Sequence, residues 1–434
     1  ALPISGAALF DADTFAGAVA RPAHGDLFRL ANLSGAQQKG YKPWVNDIEQ
    51  KDSELLVKLL NDHPAYFGKV LRNPDKYRLQ IIYTRVRRNK KNLPFLWHHT
   101  FRLDTMEYFF PASMVKVPTA CMALEKLNEL KIPNLNKETK MVVRNGPTPC
   151  HKPTTTAEYS RKYGFANVLH YVKDIFVVSG NVSYDRLYEF VGQEELNDAL
   201  HRKGYGSCIV SQRYGAYCTI EENRHTQAVE FYHQDTLVYS QPPRTSSTAY
   251  RGYLKKVYVG KGKALADGTI SPEPYDFNYR NFVSLRDLHQ MIMAIMMPMA
   301  MPKRMHFKLT KDDYRTLHKY MSMLPNESRD PVYDLSYFHR SRMKYLYYGS
   351  APEDFDPRVR IFNKVGMAHG FLTDCAYFVD FENKTEFFLS ATIYCNDNDI
   401  MGDGTYEYFT VGMPFLKQLG RVIMEYERSR PHKY

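Results

Sequence analysis

A serine and a lysine three residues apart, Ser113-Met-Val-Lys116, stand at the entry to an apolar stretch, 119–130, whose composition suits a buried helix. That spacing puts both side chains on one helical face, one turn apart. A serine hydroxyl is a poor nucleophile until a base removes its proton, and a neutral lysine can act as that base. Burial and a second nearby cation both shift a lysine toward neutrality. A helix N-terminus adds backbone N–H groups for a developing oxyanion. Alone, the pair is weak evidence, and a capping serine beside a snorkelling lysine is the commoner case.

Two further segments change that weighing. One is Ser179-Gly-Asn181, directly before a helical pattern; the other is Lys364-Val-Gly366-Met367-Ala-His369, on a strand followed by another strand. In this order the three resemble the active-site motifs of the penicillin-recognising serine hydrolases, which include class A β-lactamases and D-alanyl-D-alanine peptidases. Tyr108-Phe-Phe-Pro-Ala-Ser113 and Ser284-Leu-Arg-Asp-Leu288 are similar to further stretches of that family.

The resemblance implies a role for each residue. Ser113 matches the acylated nucleophile and Lys116 its base. Ser179 matches the hydroxyl that relays a proton to the leaving group, and Asn181 the amide that holds the acyl side chain. Lys364 matches the strand cation that keeps Lys116 neutral and attracts an anionic substrate group. Gly366 lets substrate lie along the strand edge, and the N–H groups of Ser113 and Met367 form the oxyanion hole. His369 is a further candidate substrate contact at the cleft rim. No metal or organic cofactor is implied.

The departures narrow the expectation. Gly180 stands where class A enzymes have Asp, and Val365 where a hydroxyl normally bonds a substrate carboxylate. The family's deacylating glutamate should fall near 209–215, Ile-Val-Ser-Gln-Arg-Tyr-Gly, and no such motif is there. Glu221, Glu222 and Glu230 are loop carboxylates nearby. Without that base an acyl-enzyme turns over slowly. The expected function is a serine hydrolase acting on an amide, peptide or ester. A working β-lactamase and a non-catalytic binding protein of the same fold are the alternatives.

The positioning elements read as follows. Leucines 55, 56, 59 and 60 make a helical stripe, and strand-like runs at 77–86 and 95–101 flank a basic turn. One helix is expected over 184–202, stopping at Gly204, and others over 284–297, 310–323 and 414–428. Strands are expected at 358–365, 373–381 and 386–394. Strands near both ends enclosing a helical middle predict one sheet assembled from the two. The fold class is α/β (α+β), serine β-lactamase and DD-peptidase-like, with an antiparallel sheet flanked by helices and an enlarged helical lobe. The expected organisation is a leader at 1–45 and one two-lobed domain at 46–434, with an α/β lobe at about 46–112 and 352–434 and a helical lobe at about 113–351.

Composition excludes other classes. The 434 residues are 44% hydrophobic, enough for a large core, and no apolar run is long enough to span a bilayer. Net charge is +11, densest at Arg85-Val-Arg-Arg-Asn-Lys-Lys91, yet there is no zinc-finger or RNA-recognition signature, so nucleic acid is not an expected partner. A small-molecule or peptide substrate, anionic or derived from a cell wall, is. The six cysteines have no metal-ligand spacing; Cys208 and Cys218 are the nearest pair for a disulfide. The Met-rich 291–305 reads as core, and His98-His99 as structural. The chain begins at Ala1, which with the family resemblance predicts a bacterial periplasmic or cell-surface protein whose signal has been removed.

Overall fold

The computed structural model describes residues 45–146, 150, 164–252, 254–351 and 355–430. The expected leader lies outside them except for Val45, which bridges Leu96.

Ser53 caps α1 (Glu54–Asn61) through the N–H of Leu56, and α2 (Pro64–Leu71) begins on proline. The hairpin β1 (Gln80–Arg88) and β2 (Pro94–Phe101) follows. A single 3₁₀ turn, Ala112–Val115, leads into α3 (Lys116–Leu130). Next come β3 (Lys140–Val143), α4 (Val168–Val177), α5 (Asn181–Val191), α6 (Gln193–Lys203) and α7 (Ile220–Arg224). Strand β4 (Val229–His233) pairs with both β3 and β5 (Thr236–Gln241) in a small sheet. Helices α8 (Leu285–Met296) and α9 (Lys311–Ser322) precede β6 (Val359–Ala368), β7 (Phe371–Asp380), β8 (Thr385–Tyr394) and α10 (Met413–Ser429).

The main sheet has the order β6-β7-β8-β1-β2, every pair antiparallel, so strands from both ends of the chain build one sheet. Every residue of β7 and β8 is buried, because both faces of the sheet are covered. On one face Leu288, Ile292 and Ile295 of α8 join Tyr377 and Phe388; on the other, Phe415, Leu419 and Ile423 of α10 join Phe378, Phe387 and Leu389. Each such side chain contributes about 1.5–3 kcal/mol by leaving water. The methionines at 291, 293, 296 and 297 lie in the first of these cores.

The helix expected over 184–202 is two helices. Gly192 takes φ +87° and breaks it, and a Cβ there would stand 2.6 Å from Arg244 Nη2. That guanidinium and the ammonium of Lys126 donate to the freed carbonyl of Phe190, and Arg244 also reaches Val191 O. Cations at a helix C-terminus satisfy the orphan acceptors and the dipole together. The stop at Gly204, φ +96°, is where the sequence puts it. The disulfide differs from the nearest-pair expectation: Cys218 joins Cys150, 68 residues away, and Cys208 is a buried free thiol.

Candidate active site

The turn that carries Ser113 is pressed into place from both sides. Tyr108, Phe109 and Phe110 are buried, and Ala112 holds a left-handed φ of +46°, uncommon for a residue with a Cβ. Opposite lies β6, an edge strand of the main sheet. A Cβ on Gly366 would fall 2.4 Å from the carbonyl oxygen of Pro111, so only glycine lets the strand approach this closely. Ser113 is half-buried at the mouth, while Lys116 one turn deeper is fully buried.

The three sequence segments meet here. Lys116 Nζ donates to Ser179 O at 2.5 Å and to Asn181 Oδ1 at 2.6 Å, and stands 3.5 Å from Ser179 Oγ. From the other side Lys364 Nζ donates to the same Oγ at 2.7 Å and to Val365 O at 2.9 Å. Ser179 sits between α4 and α5 at φ +62°, which aims its hydroxyl between two lysines. Ser113 Oγ has no hydrogen-bond partner among the described residues. Asn181 and Met367 are exposed, so the site opens to solvent along one rim.

Both lysines lean toward neutrality. Burial brings Lys116 down to about 7, opposed by Asp185 and Asp174. Burial also takes Lys364 well below its ordinary value, helped by repulsion from Lys116 and Lys344 and opposed by Asp374. The expected effect of Lys364 on Lys116 is thus secondary: burial acts first, and the repulsion shows at Lys364.

The structure adds detail at Gly180, at His369 and at the loop acids. At Gly180 a Cβ would lie 1.6 Å from Asp174 Oδ2, so a carboxylate from the preceding helix occupies the side-chain space of the motif's middle residue. Asp174 accepts from Ser183 Oγ at 2.7 Å. His369, expected at the cleft rim, is wedged edge-on against Phe110 at 5.0 Å and lies beside Phe277 at 5.6 Å; burial lowers its pKa to about 4. The loop acids are engaged elsewhere: Glu221 pairs with Arg224 and His225, Glu222 caps Thr219, and Glu230 pairs with Arg144.

What stands in the loop instead is Tyr214, whose ring centroid is 6.0 Å from Lys116 Nζ. Burial raises its phenol above the ordinary value, so it stays protonated. The turn is held by Asp185, whose carboxylate accepts from the N–H groups of Tyr214 and Gly215, both at 2.8 Å. Burial lifts Asp185 to about 6 against those bonds. Arg213 locks the same turn through a buried pair with Glu189 at 2.8 Å. Neither Asp174 nor Asp185 is marked by the sequence motifs; a buried acid one helical turn after Asn181 is the only local signal for the second.

Behind β6 lies a second polar cluster. Lys344 Nζ donates to Met321 O, Ile361 O and Asn363 Oδ1, and Asn363 Nδ2 donates to Asp374 at 2.8 Å. It braces the strand one residue before Lys364. Among the described residues no group of His, Cys, Asp and Glu is arranged to hold a metal ion.

Residues 97–268, which carry the first two motif segments, match the beta-lactamase enzyme family. No curated protein matches in sequence. Among solved structures the chain is similar to a β-lactamase from Sphaerobacter thermophilus (11% identity, 87% of this chain and 97% of that one, TM-score 0.45). It is also similar to PBP-A (13%, 86% and 96%, TM-score 0.46) and to an ancestral class A β-lactamase (12%, 86% and 99%, TM-score 0.45). Over 97–268 the chain thus matches the beta-lactamase enzyme family, and its antiparallel sheet flanked by helices is the architecture that the resemblance to penicillin-recognising serine hydrolases implies.

Proposed function

We propose that the chain is a serine acyl-transfer hydrolase working through a Ser113 acyl-enzyme on an amide, peptide or ester. The observation that carries this reading is the chain Lys116–Ser179–Lys364, with Lys116 brought to about 7 by burial. Neutral Lys116 takes the proton of Ser113 Oγ, and the oxygen attacks the substrate carbonyl carbon. The oxyanion is received by the N–H groups of Ser113 and Met367. The proton passes from Lys116 through Ser179 Oγ to the leaving amine or alcohol, whose bond to carbon breaks. Lys364 Nζ donates to Ser179 Oγ and holds that relay hydroxyl in place. Water then releases the acyl group.

Asn181 orients the acyl side chain, Gly366 leaves room along the strand edge, and the wedged His369 shapes the wall rather than titrating. In this reading the two lobes are the sheet region and the helical region on either side of Ser113. The Cys150–Cys218 disulfide supports an extracytoplasmic setting, since such bonds persist in oxidising compartments. No helix among the described residues is long and apolar enough to cross a membrane.

A working β-lactamase is the second reading, and Tyr214 weighs against it, because a protonated phenol cannot activate water as a carboxylate does. The test is intact mass over time with a penicillin and, separately, a fluorophosphonate, beside Ser113→Ala. A lasting penicillin adduct on Ser113 supports a peptidase-like site, and rapid consumption of penicillin supports the lactamase. If neither reagent modifies Ser113, the reading fails.

A further inference from the structure

The basic cluster of the β1–β2 hairpin divides by face. Arg88 points inward and is buried against Glu386, donating from Nη2 at 2.9 Å. Arg85 and Arg87 share the opposite face, and the register places Trp97 beside Arg85, Phe95 beside Arg87 and His99 beside Tyr83. Together they make a ledge of cations and rings. The Arg87 guanidinium carbon lies 5.8 Å from the Trp97 ring centroid, and that of Arg85 lies 6.0 Å from Tyr426 of α10. Phe95 stacks along Trp97 at 6.4 Å.

Among the described residues, Glu427 is the acid that acts on this ledge. Glu427 is spent on Arg430 and Tyr83, and neither Arg85 nor Arg87 has a carboxylate partner among the described residues. Two donor-capable atoms here, Arg85 Nε and His99 Nε2, are buried with no hydrogen-bond partner. A buried polar atom left so costs free energy. The field of the ledge agrees: burial and then Arg430 and Arg85 lower the basicity of Arg87, and burial and the same two arginines bring His99 to about 4.

We propose that Arg85, Arg87 and His99 form a binding site for a phosphate group, with Trp97 and Tyr426 as its aromatic walls, on a face of the sheet away from Ser113. Two guanidinium forks suit a dianion of tetrahedral oxygens. The rings suit a phosphate carried on an organic group.

The test is titration with inorganic phosphate at constant ionic strength, following tryptophan emission; Trp97→Phe isolates the signal from Trp44, the second of the chain's 2 tryptophans. The expected result is a saturable change, absent in Trp97→Phe and weakened about tenfold by Arg85→Met or Arg87→Met. Lys90→Gln with Lys91→Gln, at the exposed end of the hairpin, leaves it intact. Sedimentation with phosphatidylcholine vesicles containing phosphatidic acid separates the sources. Retention that needs both arginines assigns the phosphate to a lipid headgroup; a phosphate response without retention assigns it to a soluble ligand. No response in either arm overturns the proposal. So does a response that the lysine pair abolishes as fully as the arginines, because that marks a diffuse positive surface. Thermal unfolding of each variant at the wild-type midpoint shows that the fold is intact.

Discussion

The two sides of the cleft around Lys116 are built from opposite materials. Toward β6, Lys116, Ser179 and Lys364 are linked by hydrogen bonds to neutral acceptors, with no carboxylate in direct contact. Toward the 213–215 turn there is an aromatic ring, and the nearby acid, Asp185, is occupied by backbone N–H groups. A lysine bonded to a carboxylate stays charged, whereas one bonded to a carbonyl and an amide in a buried site can be neutral. In the proposed function the first side forms the acyl-enzyme. The second, among the described residues, offers no free carboxylate beside Lys116 to discharge it.

That contrast can be broken at its strong end first. Ser113→Ala should abolish covalent labelling by penicillin or fluorophosphonate, and any residual adduct by intact mass would move the nucleophile elsewhere. Lys116→Ala should slow acylation by about 10²–10⁴-fold, measured as the rate of adduct appearance. An unchanged rate would remove the base from the first side. Tyr214→Glu tests the second side by supplying a carboxylate next to Lys116. Adduct lifetime should then fall about tenfold or more, and an unaltered lifetime would mean that the ring is not what delays discharge.

The gentlest probe is pH. Lys116 loses its proton as pH rises through about 7, so the reactive form grows with pH. The acylation rate should climb about tenfold per pH unit below that point and level off above it. Lys116→Ala should flatten the profile. A rate that instead falls between pH 6 and 8 would contradict a neutral-lysine base.

Much of the cluster around Lys116 was legible in the chain. Ser113 and Lys116 are local in sequence, Ser179 and Asn181 open a helix, and Lys364 sits in a strand with clear period, so short-range rules reach them. The strand pairing of the two chain ends followed from the same periodicities. Features that depend on residues from other segments were hidden. The break at Gly192 is held by Arg244, some fifty residues on. Cys218 is bonded to Cys150 rather than to the nearer Cys208, because pairing follows spatial approach and not sequence distance. The ring contacts of the partly exposed His369 with Phe110 and Phe277 join segments far apart in the chain, so the sequence does not show them. Tyr214 lay in the correct segment, but only the packing of that turn sets its ring beside Lys116.

The contact between Gly180 and Asp174 also constrains how this protein can vary. With a Cβ at 180 only 1.6 Å from Asp174 Oδ2, position 180 cannot gain a side chain while Asp174 stays where it is. An Ala or Asp at 180 requires the acid at 174 to shrink or swing out, which would release Ser183 as well. The two positions form an epistatic pair. Single substitutions at 180 should be harmful, and the same change made together with Asp174→Gly should be far better tolerated, so the route back to an acid in the middle of the motif runs through two coordinated steps.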